Sequence, residues 1–179
     1  VWQGIFYVCK KADKTFKRVA FGYFLLMLAL LLLTWPGIWR MDEFGILTSA
    51  VQLFPHFWQN YITSVFYIFA LMLFPFPAGV ILVQIICISL IVARLVTLCL
   101  SAEPEQIGKK KRNICYVLLL VPFLLLPVLD SNLYPMRVSV HAFLELWLLA
   151  ELYFNRKKNT MPAWYLPVLA AVVTVWRTE

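Results

Sequence analysis

Residues 19–35, VAFGYFLLMLALLLLTW, contain no charged side chain, and such a stretch leaves a chain few ways to fold. At about 1.5 Å per residue in an α-helix it reaches roughly 26 Å, close to the lower limit for crossing the hydrocarbon core of a bilayer. The run is too long for a cleavable signal and lacks a small-residue cleavage site. Further apolar segments at 57–74, 78–98, 114–129, 138–155 and 162–176 leave only short polar stretches between them. With 63% hydrophobic and 14% charged residues and a mean hydropathy of +0.81, the chain lacks the polar side chains to clothe a soluble core. The seven Trp and eight Tyr suit rings placed at two membrane interfaces. The expected fold class is all-α: a polytopic transmembrane helix bundle of about five spanning helices, with further juxtamembrane helices on the outer side.

The basic residues set the orientation. If 19–35, 57–74 and 78–98 all crossed, the cluster Lys109-Lys110-Lys111-Arg112 would lie outside, against the positive-inside rule. Segment 57–74 carries Gln59, Asn60, Thr63 and Ser64 near its start and is followed by Pro75-Phe76-Pro77, so it is expected to lie along the outer interface. The spans are then 19–35, 78–98, 114–129, 138–155 and 162–176, with the outer loop at 36–77 and the N-terminus cytoplasmic. Under this layout only Arg40, Arg137 and Arg177 of the sixteen basic residues are outside. Pro122, Pro127, Pro162 and Pro167 are expected to kink the two short spans. Residues 1–179 read as a single transmembrane domain, expected to be the N-terminal part of a larger protein.

Several function classes drop out. The net charge of +7 is explained by loop placement, and no basic stretch has the aromatic interleaving of a nucleic-acid surface, so no nucleic-acid partner is expected. Cys9 and Cys115 fall on the cytoplasmic side and Cys87 and Cys99 in or near the membrane; they read as packing residues, with no CxxC motif. There is no glycine-rich phosphate loop, HExxH or GxSxG.

Polar residues gather on the outer side: Asp42, Glu43, His56, Gln59, Asn60, Asp130, Ser131, Asn132 and Arg137. Asp42 and Glu43 suit a helix start, where acids are stabilised by the first-turn dipole, and equally suit a carboxylate site. As neighbours on a helix they diverge by about 100°, so only one can face a given substrate; Asp42, the earlier and shorter acid, is favoured. Within the membrane, His141 and Glu145 are four apart and share a face. Arg94 and Glu151 fall at matched depth on helices running the same way, and pairing would cancel two charges that are costly to bury.

The order of a basic start, one span, an outer Met41-Asp42-Glu43, the Phe54-Pro55-His56-Phe57-Trp58 opening of an outer helix and an inward span resembles the N-terminal part of the GT-C class of membrane glycosyltransferases. This class includes protein O-mannosyltransferases and bacterial lipid A sugar transferases. In this chain the proline precedes His56 instead of following a histidine. Residues Leu129 to Arg137 resemble the outer loop before the fourth helix, and Trp176-Arg177-Thr178-Glu179 a loop after the fifth span of uncharacterised bacterial members. The resemblance implies sugar transfer from a polyprenyl-phosphate donor to a lipid, glycan or protein acceptor at the outer face, in a bacterial cytoplasmic membrane. It implies Asp42 as general base, with Glu43 beside it, and Arg40, His56, Gln59, Asn60, Asp130, Asn132 and Arg137 as substrate-binding candidates. No cofactor is required; a divalent cation on Asp42 is compatible with the pattern. The alternatives are a multi-pass transporter using His141 and Glu145, and a non-catalytic membrane assembly subunit.

Overall fold

The computed structural model describes residues 14–54, 61–101, 109–135, 137–158 and 163–176, and among these every regular element is helical. In chain order they are α1 (Lys14–Leu33), α2 (Met41–Val51), α3 (Tyr61–Leu73), α4 (Ala78–Ser101), α5 (Lys109–Leu120), a 3-10 turn (Val121–Leu124), α6 (Leu126–Ser131), α7 (Arg137–Lys158) and α8 (Leu166–Trp176). The class is all-α, as expected.

Two of these helices, α1 and α4, are long and apolar enough to cross a membrane. The other expected spans differ from their sequence outlines. Segment 114–129 is broken: α5 stops at Leu120, the 3-10 turn contains Pro122, Leu125 is extended at ψ 136°, and α6 restarts with Pro127 in its first turn. The physical reason is the proline ring, which removes an N–H and crowds the preceding turn, yet fits a helix start. Segment 162–176 narrows to α8, whose 11 residues cover about 16 Å, less than a crossing needs. Within segment 57–74 the described residues form α3, Tyr61–Leu73. By contrast α7 has the length, 22 residues, but carries Glu145, Glu151 and a basic C-terminal turn.

Helix α4 is the centre of the molecule, and α1, α3, α5 and α7 all pack on it. Its apolar window is 72% buried, whereas that of α1 is 22% buried. On α1 a single stripe, Val19, Tyr23, Met27 and Leu31, turns inward at a spacing of four. The remaining faces present Phe21, Leu25, Leu32 and Leu33 outward. Together with α4 residues such as Ile85, Ile88 and Val92 and with Phe143 of α7, the stripe forms the larger core. A second core joins Ile46, Leu47 and Ala50 of α2, Tyr67 and Ala70 of α3, and Val80 and Val83 of α4.

Contacts at the helix ends fix the directions. Gly37, after α1, lies against Ile81 near the start of α4, so α1 and α4 are antiparallel. Gln84 reaches the loop that leads into α7, and Arg94 farther along α4 meets Glu151 farther along α7, so those two run parallel. Helix α8 starts beside Glu151 through Tyr165 and ends with Trp176 edge-on to Phe66 of α3, 5.7 Å between ring centroids.

Two glycines are required by geometry. Gly37 has φ +102°, open chiefly to glycine, and a Cβ there would overlap Cδ1 of Ile81. A Cβ on Gly79 would meet the Phe74 backbone carbonyl, so the tight hairpin from α3 to α4 depends on its absence.

Candidate functional site

The site is assembled from the segment that leaves α1 and the loop that precedes α7. Pro36 cannot continue α1, and Gly37 turns the chain, its N–H bonding to the Thr34 carbonyl at 2.8 Å. The Ile38 N–H then donates to the Leu133 carbonyl at 3.2 Å, tying residues 36–40 to the 131–135 loop. Arg40 lies on the other side of this tie, its guanidinium 4.8 Å above the Tyr134 ring. A cation over an aromatic face is attracted by the ring quadrupole while its edge N–H groups stay free for an anion.

Arg40 is also the residue before α2, in extended conformation, and its N–H donates to Oε2 of Glu43 at 3.2 Å. This is the reach-back half of a capping box, and it explains why the two acids diverge. Glu43 is 7% exposed and turned toward the second core; Asp42 is exposed. Burial, and after it the Glu43 charge, raises the Tyr67 phenol far above its ordinary value. Tyr67 is thus a neutral donor, held on the Pro135 carbonyl at 2.6 Å, and its ring stands edge-on to Trp39 at 6.4 Å.

Beneath this surface runs a buried polar network. Gln84 Nε2 donates to the carbonyls of Asn132 at 3.1 Å and Tyr134 at 2.7 Å. Asn132 Nδ2 donates to the Tyr23 hydroxyl at 3.2 Å, which donates in turn to the Phe123 carbonyl at 3.1 Å. Asn132 is 1% exposed, so its side chain turns into the helix packing. Its backbone carbonyl accepts from Gln84 on α4 and its Nδ2 donates to Tyr23 on α1, while its Oδ1 is buried without a hydrogen-bond partner among the described residues. Glu43 is likewise committed to the helix start, which leaves Asp42 as the accessible acid of the pair.

Asp130 is exposed near the end of α6, two residues from Asn132. The backbone of Arg137 opens α7 at this same end. His56, Gln59 and Asn60 lie outside the described residues. Among the described residues no three His, Cys, Asp or Glu side chains gather to hold a metal ion. A divalent cation needs several oxygen ligands, of which Asp42 would supply one.

The second polar cluster lies near the far end of α4. Glu151 is 3% exposed, and its Oε1 accepts from Arg94 Nε at 2.7 Å, Tyr165 O–H at 2.8 Å and Trp147 Nε1 at 3.1 Å. The Arg94–Glu151 pair is therefore present where matched depth placed it. His141 Nδ1 is 3.7 Å from Glu145 Oε2, a looser contact, with the Glu145 side chain 51% exposed. Cys87, Cys99 and Cys115 take part in no disulfide among the described residues.

Sequence reasoning passed over Gln84, Tyr23 and Tyr67. A signal existed for the first: Gln84 is the single amide in an apolar run, and such a group must find a partner on another helix. No family model, curated protein or solved structure matches this chain.

Proposed function

We propose that this chain belongs to a polytopic membrane glycosyltransferase of the GT-C kind, working at the outer end of the bundle where α1 ends and α2 begins. The observation that carries the reading is an exposed carboxylate, Asp42, two residues after a positioned cation, Arg40, whose guanidinium lies over the Tyr134 ring. The membrane setting is supported by α1 and α4 and by the large apolar side chains that α1 turns outward.

In this reading the acceptor hydroxyl attacks the anomeric carbon of a polyprenyl-phosphate-linked sugar. Asp42 takes the hydroxyl proton as the new C–O bond forms, a role that typically contributes 10²–10⁴-fold. The bond from the anomeric carbon to the phosphate oxygen breaks, and its electron pair leaves with the lipid phosphate. Arg40 offsets the negative charge that develops there, its N–H edges being the part of the guanidinium that stacking leaves available. Glu43 acts on the site indirectly by fixing the start of α2.

The test is transfer of labelled sugar from a polyprenyl-phosphate donor in membranes matched for protein level. Asp42→Asn removes the base at an exposed position and should lower transfer by at least about 10²-fold without loss of insertion. Transfer close to wild type by this variant would refute the assignment. A transporter is the second reading, favoured by the exposed Glu145 carboxylate beside His141 on α7. It requires loss of ion-coupled uptake in Glu145→Gln with Asp42→Asn unaffected.

A further inference from the structure

A groove of about 390 Å³ runs between α1 and α4, away from the site described above. Phe16, Ala20, Phe21 and Phe24 form one wall, and Ile86 and Leu90 the other. Ser89 also borders it, but its hydroxyl donates back to the Ile85 carbonyl at 2.6 Å. The walls therefore offer hydrocarbon contact and no directed hydrogen bond to a sugar, nucleotide or peptide backbone, each of which would leave polar groups unpaired there. A flexible alkyl chain loses nothing in such a place.

The groove has a polar end. Among the described residues Lys17 is the one charged group lining it, and Lys14 and Arg18, both exposed, lie within a helical turn of it. No carboxylate among the described residues lines the groove, so the charge they place at its mouth is positive. From Lys17 to Phe24 the wall of α1 covers about 10 Å along the helix. We infer that the groove seats one acyl chain of an anionic phospholipid, whose phosphate rests on Lys17. This goes beyond the glycosyltransferase reading and shares with it only the placement of α1 and α4 in a membrane.

The test uses the full chain in detergent, with native mass spectrometry reporting retention of phosphatidylglycerol and phosphatidylcholine at matched concentrations. Phosphatidylglycerol should be retained preferentially. Lys17→Gln should weaken that retention about fivefold, the effect of one basic residue near an anionic headgroup, and leave phosphatidylcholine unchanged. Ala20→Phe, which fills the groove, should remove retention of both lipids. Lys17 is exposed, so its variant keeps the test open if Ala20→Phe fails to fold. Equal retention of the two lipids by the wild type, or a Lys14→Gln variant that loses as much as Lys17→Gln, would overturn the inference. Release of the protein from membranes by alkaline carbonate would instead overturn the membrane placement on which it stands.

Discussion

Removing the two partners of the Arg94–Glu151 pair one at a time should cost unequal amounts. Glu151 is 3% exposed, whereas the Arg94 side chain is 42% exposed. Arg94→Met strands a carboxylate among apolar side chains. Breaking a buried pair in this way costs about 3–5 kcal/mol, and the Tyr165 and Trp147 donors that remain on Oε1 place the loss near the lower figure. Glu151→Gln keeps an acceptor oxygen in place and leaves a guanidinium that can turn its head toward water, so only the charge-assisted part of the bonding is lost, about 1 kcal/mol. In the double variant no carboxylate is stranded. Its loss should be about 2 kcal/mol, half of what additivity of the single losses gives, for a coupling of about 2 kcal/mol. That exceeds the ~0.6 kcal/mol average for interhelical hydrogen bonds in membranes because a formal charge is involved on each side. The assay is equilibrium unfolding of the four proteins by sodium dodecyl sulfate in mixed micelles. A coupling below about 0.5 kcal/mol, or a Glu151→Gln variant less stable than Arg94→Met, would refute the reasoning.

Three further outcomes are expected. Gly37→Ala forces a side chain into a φ of +102° and onto Ile81, and should lower stability by about 1–3 kcal/mol in a thermal melt; an unchanged melting temperature would show that the turn after α1 is not held as described. Tyr23→Phe leaves Asn132 Nδ2 and the Phe123 carbonyl without their partner and should cost about 1–3 kcal/mol in the same measurement. With the native cysteines replaced, a single cysteine at Lys110 should be labelled only from the cytoplasmic side and one at Leu53 only from the outer side. The reverse pattern would sink the proposed orientation.

What was legible in the sequence is what local spacing or charge cost dictates. The 100° step between neighbours separates Asp42 from Glu43, and the structure turns the first outward and the second inward. Matched depth of two costly charges predicted the contact of Arg94 with Glu151, 57 positions apart. Pro122 and Pro127 marked a weak point in 114–129, although the result is a break with a 3-10 turn instead of a bent helix. A lone amide in an apolar run marks Gln84 as needing a partner, but which groups join it and Tyr23 in a network left no such trace. Its bonds join residues 48 to 109 positions apart, and no periodicity records which helix a phenol or amide will meet. The burial of Asn132 left no trace for the related reason that a polar residue in a loop is taken as wet, whereas this loop is drawn into the packing by α4.

The two polar contacts of α4 have a mechanical consequence. Gln84 grips the lead-in to α7, and Arg94, ten positions or about 15 Å farther along, grips α7 itself. Two parallel rods pinned at two separated points can neither slide past each other nor open like scissors unless one pin is released. Any rocking in the working protein must then carry α4 and α7 as one rigid beam, and the hinge is displaced to their neighbours. The α1 side is the natural one to yield, because its stripe meets α4 mostly through apolar side chains and its polar tie, Tyr23 to Asn132, carries no formal charge.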